Sequence, residues 1–173
     1  LRKIGIVNTI SYCTNEVLSE KLNKHGFTSK FIDEKYSKNE FSYIRFKIML
    51  ELLEKYKHVW YLDVDTVILG DIWKAVNKEG DWDIQFQDEC MVPSTGNILA
   101  KNTEKTKYLL ELLYKNINKE FNGQNCLSGL LKERKLEQPI NIKIMSIYKF
   151  CTGILIFSNH FLVKLNGEKK KLR

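Results

Sequence analysis

Short apolar runs alternating with helix-period segments limit most strongly the folds open to this chain. "KIGIVN" (3–8) and "TSKFID" (28–33) read as strands. Between them lies "NEVLSEKLNKHG", with Val17, Leu18 and Leu22 at helical spacing and Gly26 as a stop. "SYIRFKIMLELLEKYK" (42–57) is the clearest helix: Ile44, Ile48, Met49, Leu52, Leu53 and Tyr56 make one apolar face, and Ser42 can cap it. "HVWYLDVD" then reads as a strand buried on both faces. Strands at "WDIQF" (82–86), "GNILA" (96–100), "NIKIMSI" (141–147) and "GILIFS" (153–158) come next, with helices at 103–117 and 125–134. The expected class is α/β with a largely parallel sheet, whose ligands sit at the carboxyl ends of strands.

Size and composition narrow the partners. One domain over 1–173 is expected for a chain of this length. No run approaches the roughly 20 apolar residues of a membrane span. The net charge of +7 favours an anionic partner, yet no recognition helix or aromatic-basic strand motif points to nucleic acid. Cys13, Cys90, Cys126 and Cys151 form no C-x-x-C pair, so they suit free thiols in a reducing compartment. No charged leader with an apolar stretch opens the chain, and a cytoplasmic location is expected.

The chemistry is concentrated in "YLDVDTVILGDI". Alternation along a strand turns Asp63 and Asp65 the same way. Two carboxylates so placed repel unless a cation or proton lies between them, and hard oxygen ligands suit Mg²⁺ or Mn²⁺. The bland alternative is an exposed pair salt-bridged to lysines. D-x-D-x-T also occurs in phosphatases of the haloacid-dehalogenase type. There it normally opens the domain and needs a later acidic motif. Here a strand-helix-strand-helix unit precedes it, and no aspartate follows residue 90. Nucleotide-sugar glycosyltransferases are the other users, where the carboxylates hold a divalent ion on the donor's diphosphate.

Several further segments, in order, make the chain resemble glycosyltransferase family 8, the glycogenin-like retaining enzymes. They are "VNTISYCTNEVLSEKL", Lys47 sixteen residues before Asp63, "STGNILAKNTEKTKYLLELL", "FNGQNCLSGLL" and "NHFLV". The resemblance implies a GT-A-type nucleotide-diphospho-sugar transferase fold, a single Rossmann-like mixed, mainly parallel sheet flanked by helices. It implies a metal held by Asp63, Asp65 and His160, and a donor contacted by Asn8, Thr9, Tyr12, Lys47, Asp63, Gly96 and Lys164. Gln124, Asn125 and Asp88 would flank the reacting sugar.

Each of these residues also has a plainer reading. Tyr12 could stack on a uracil-like base or be a half-buried core tyrosine. Lys47 could be solvated, His160 could cap a strand, and Asp88 could be a loop carboxylate. Gly96 could admit a sugar or relieve a strand crossing. The chain also departs from the family pattern. Gly123 stands where an aspartate precedes Gln124, Ser94 replaces an asparagine, and Val163 replaces a glycine after His-x-x. The short length and the basic C-terminal run suit a minimal or truncated domain.

The resulting expectation is a metal-dependent transferase using Mn²⁺ or Mg²⁺. It would pass a sugar from a nucleotide-diphosphate donor, UDP-linked, to a hydroxyl on a glycan, protein or small molecule, with retention. The alternatives are a donor-binding domain that has lost transfer, which Gly123 motivates, and the D-x-D-x-T phosphatase.

Overall fold

The computed structural model describes residues 8–32, 41–64, 66, 80–89, 92–116, 123–132, 136, 137 and 139–145. They fall into two compact units, one containing residues 8–32 and the other the remainder. The expected strands at 3–8 and 153–158 lie outside the described residues, but for Asn8.

The first unit holds β1 (Ser11–Cys13), α1 (Glu16–Lys24) and β2 (Ser29–Phe31). The strands pair in parallel, Tyr12 opposite Lys30, as a strand-helix-strand crossover requires. Asn15 has extended backbone and its side chain accepts from Leu18 N–H (3.0 Å), which caps α1. Gly26, at φ 78°, lets the chain leave the helix. The expected apolar face of α1 is not formed as read. Val17 and Leu18 are 59% and 50% exposed, and the buried helix residue is Ser19. Its polar side chain is compensated by Ser29: the two hydroxyls lie 2.6 Å apart, and Ser29 Oγ donates to the Ser19 carbonyl (2.7 Å).

The second unit contains α2 (Phe41–Leu53), β3 (His58–Leu62), β4 (Ile84–Glu89), β5 (Val92–Lys101), α3 (Glu104–Asn116), α4 (Gly123–Lys132) and β6 (Ile142–Met145). The sheet order is β3-β5-β4-β6. β4 pairs with β6 in parallel, while β5 is antiparallel to both β3 and β4. Thus β3, β4 and β6 share one direction and β5 alone is reversed. The mixed sheet has a simple cause: only two residues join β4 to β5, and such a link permits a hairpin but no crossover.

One face of the sheet carries Val59, Ile84, Phe86, Ile98 and Ala100 into the core. They meet Phe46, Met49 and Leu53 of α2, Leu109, Leu110 and Leu113 of α3, and Leu127 and Leu130 of α4. Phe46, absent from the predicted face of α2, is fully buried, and Tyr56 is exposed. The other face carries a polar cross-link between strands. Trp60 Nε1 donates to Asn97 Oδ1 (2.7 Å), and Asn97 Nδ2 donates to Gln87 Oε1 (3.1 Å). β3 is consequently not a strand buried on both faces. Val59 is buried, His58 is exposed, and Trp60, Tyr61 and Leu62 are half-buried.

Asp83 joins three elements. Its carboxylate accepts from Thr103 Oγ1 (3.0 Å) and from Asn141 N–H (3.0 Å), and its carbonyl accepts from Thr106 Oγ1 (3.0 Å). Thr103 in turn accepts from Thr106 N–H (3.2 Å), so the cap of α3 is tied to the start of β4.

Candidate functional site

The site is built where β3 ends beside a break in the β4–β5 register. Phe86 pairs with Ile98, but the next residue, Gln87, pairs with Ser94. Residues 95–97 therefore have no register partner on β4, a bulge of the kind that re-aims side chains. On its other side β5 keeps its pairing with β3. Leu62 lies opposite Asn97, and Asp63 N–H donates to the Gly96 carbonyl (2.8 Å).

β3 stops at Leu62. Thr66 N–H donates to the Asp63 carbonyl (3.1 Å), closing a turn, and Val64 is fully exposed. The alternation rule that put positions 63 and 65 on one side of a strand therefore has no strand to act on beyond Leu62. Asp65 itself lies outside the described residues.

The Asp63 side chain is 39% exposed, and its two oxygens have different surroundings. Oδ1 accepts from the Tyr61 hydroxyl (2.6 Å) and lies 3.6 Å from Arg45 Nη1. Oδ2 has no hydrogen bond among the described residues, and it faces Gly96. A Cβ added at Gly96 would stand 2.6 Å from Oδ2, closer than any van der Waals contact allows. The guanidinium of Arg45 is held twice more: Nη1 donates to the Thr95 carbonyl (2.6 Å), and the group lies 5.0 Å over the Tyr61 ring. Arg45 thus satisfies a carbonyl within the bulge and balances the Asp63 charge at once. The bland expectation of a lysine partner for Asp63 gives way to this arginine.

Gly123 opens α4 and is buried. A Cβ there would meet the Phe46 ring at 3.2 and 3.3 Å and Thr95 Oγ1 at 3.3 Å. Contacts thus run from Asp63 to Gly96, through Thr95, to Gly123. The position where the resemblance led to an aspartate is filled to the contact limit by an aromatic ring. Gln124 is half-buried and Asn125 exposed in the first turn of α4. Ser94 Oγ accepts from Gly96 N–H (3.3 Å).

The remaining expected site residues are spread over both units. Lys47 is half-buried on α2, two residues from Arg45, and Asp88 is half-buried on β4 opposite Pro93. In the first unit Asn8 is exposed and Thr9 half-buried ahead of β1. Tyr12 is half-buried on β1 with Lys30 Nζ 6.0 Å over its ring. His160 and Lys164 lie outside the described residues. No cluster of three or more metal-ligating side chains occurs among the described residues; two of the three expected ligands are not among them.

Arg45 and Tyr61 escaped the sequence reading. The signals were present: an arginine between two apolar residues of an apolar helix, and a tyrosine two positions before an aspartate on a strand, where side chains share a face.

As a donor set, Asp63 fits a hard divalent cation. One of its oxygens has no hydrogen bond among the described residues, and the side chain as a whole is partly exposed at the end of a strand. Cys13 and Cys126 are free thiols, the latter with its pKa raised by burial. No helix among the described residues is long and apolar enough to cross a membrane.

No curated protein matches the chain. Among solved structures, it resembles a crystal structure of a glycosyltransferase involved in the glycosylation of the major capsid of PBCV-1. The TM-score is 0.53 at 12% identity, over 80% of this chain and 81% of that one, a likeness that speaks for the fold. The fold is of the nucleotide-diphospho-sugar transferase type that the resemblance implied. The family of nucleotide-diphospho-sugar transferases matches residues 9–171. On that match, which takes in nearly every residue, the chain belongs to the nucleotide-diphospho-sugar transferase family and is a glycosyltransferase.

Proposed function

We propose that the chain is a single glycosyltransferase domain of the family 8 type. It takes a UDP-linked sugar as donor, uses Mn²⁺ or Mg²⁺, and delivers the sugar to an acceptor hydroxyl with retention. The observation that carries this reading is the state of Asp63. One carboxylate oxygen is fixed by Tyr61 and Arg45, and the other faces a glycine with no hydrogen bond among the described residues.

In this reading Asp63, Asp65 and His160 hold the metal, which when bound neutralises charge on the departing diphosphate. Asn8, Thr9 and Tyr12 take the nucleotide, and Lys47, Gly96 and Lys164 complete the donor contacts. Asp88, Gln124 and Asn125 orient the reacting sugar. The acceptor hydroxyl attacks the anomeric carbon on the face the diphosphate leaves. The bond from the anomeric carbon to the phosphate oxygen breaks, and that phosphate takes the acceptor proton. The acceptor is a glycan, protein or small molecule, and the free thiols suit a cytoplasmic setting.

A thermal-shift panel of nucleotide sugars with and without Mn²⁺ tests the donor, since a ligand of the native state raises the melting temperature. UDP-sugars should shift it with Mn²⁺, and Asp65→Ala should abolish the metal-dependent part. Absence of a shift with every UDP-sugar would overturn the reading, and an inverted product anomer by NMR would remove retention.

The packing of Gly123 favours a second reading, a donor-binding domain without transfer. It predicts the same shift with no release of UDP.

A further inference from the structure

We propose that Tyr61, braced by Arg45, is a positioning residue that reserves one oxygen of Asp63, Oδ2, for a divalent cation. The inference rests on the reading of Asp63 as a metal ligand and adds how this chain presents that ligand.

A free carboxylate can chelate a cation through both oxygens or bind through one. Here Oδ1 already accepts the Tyr61 phenol at 2.6 Å, a short, charge-assisted hydrogen bond, and lies 3.6 Å from Arg45. Chelation through both oxygens would place the cation on an oxygen already shared with this phenol and beside the Arg45 guanidinium, whose positive charge repels it. Oδ2 has no hydrogen bond among the described residues, and Gly96 provides the space it occupies. The carboxylate is thus oriented before any ligand arrives.

The brace is itself held. The Tyr61 ring lies under the Arg45 guanidinium, 5.0 Å from its centroid, and Arg45 cannot swing without abandoning the Thr95 carbonyl. Tyr61 also sits in the β3–β5 ladder opposite Ile98. Helix α2, strand β3 and the β5 bulge therefore converge on one carboxylate. Outer groups of this kind set ligand orientation, and their loss typically costs about 10–100-fold in metal affinity.

Tyr61 is the informative residue because it is neutral. Replacing Arg45 would change both orientation and charge, and a lost positive charge by itself attracts a cation. Tyr61→Phe keeps the ring and removes the hydrogen bond to Asp63 without changing the charge.

The test is Mn²⁺ alone, titrated into the full chain and followed by the EPR signal of free Mn²⁺, with the metal-free melting temperature as a control. The expected result is a loss of about 10-fold or more in Mn²⁺ affinity for Tyr61→Phe, with a cooperative melting transition kept in the metal-free variant. In an Asp63→Ala background the same substitution should have no further effect, because it acts through Asp63. Affinity within about twofold of the parent, or an equal loss in the Asp63→Ala background, would overturn the positioning role and leave the proposed function standing. A parent chain that binds no Mn²⁺ would overturn the metal reading and this inference with it.

Discussion

Asp63 and Gly96 share one space: the carboxylate Oδ2 lies 2.6 Å from where a Cβ on residue 96 would stand. The strands that carry them are locked together there by the hydrogen bond from Asp63 N–H to the Gly96 carbonyl. The backbone cannot open to admit a side chain without breaking that bond, so the carboxylate must move instead.

Gly96→Ala is accordingly expected to keep the fold and lose function. Gly96 is not among the described glycines with a positive φ, so the substitution brings no backbone strain. Displacing a metal-site carboxylate should lower UDP release from a UDP-sugar by about 10–100-fold. Activity equal to the parent's, with an unchanged melting temperature, would show that the Asp63 orientation is immaterial.

Placing at position 123 the aspartate that the resemblance to family 8 led one to expect should harm the protein and leave transfer no faster. The site has Phe46 and Thr95 at 3.2–3.3 Å from the added Cβ alone, before any carboxylate is placed. Overpacking of this kind costs about 1–3 kcal/mol, to which a buried carboxylate adds a desolvation penalty. Urea denaturation of Gly123→Asp should show the loss as a lower midpoint with unchanged slope. A stable and faster enzyme would mean that Phe46 gives way readily.

Asp83→Ala should be among the most damaging substitutions away from the site. It strips an acceptor from the Thr103 hydroxyl and from the Asn141 amide together, uncoupling the α3 cap and the lead into β6 from β4. Leaving such donors unpaired in a half-buried setting should cost about 2–3 kcal/mol. Chemical denaturation checks this, and a change under about 0.5 kcal/mol, the scale of an ordinary surface substitution, would refute the staple.

The pH dependence has a defined sign at His58. Partial desolvation of the largely exposed ring comes first, then the positive charges of Lys101 and Lys57, and together they lower its pKa below the ordinary value of 6.5. The unfolded chain therefore takes up a proton at His58 before the folded one does. Its contribution to stability is fully present above about pH 6.5. It is lost as the pH falls from there through the lowered native value. His58→Gln should flatten this part of a melting-temperature profile taken from about pH 7.5 to about pH 5. An identical slope in the variant would exclude His58 as its source.

Much of the architecture could be read from local pattern. The helices of the second unit follow apolar spacing, which Ile44, Met49 and Leu53 show on α2 and Leu109, Leu110 and Leu113 on α3. Thr103, at the start of the helix expected over 103–117, caps α3. The failures have equally local causes. α1 has helical spacing, but Val17 and Leu18 remain exposed, because periodicity says which residues share a face and nothing about whether a partner surface meets it. The β5 reversal was hidden because "GNILA" was read as a strand starting at residue 96, whereas β5 begins at Val92 and leaves room only for a hairpin.

The candidate site divides in the same way. The D-x-D segment stands out in the linear chain as charge ending an apolar run, whereas Gly96 and Gly123 are picked out by the resemblance to family 8. How Asp63 is held could not be read there. Arg45 is eighteen residues away and Gly96 thirty-three, and no propensity or period relates positions so distant. Only the docking of α2 on the sheet and the β3–β5 register bring them to one carboxylate. Burial and hydrogen-bond satisfaction are properties of that packed arrangement and of no segment by itself.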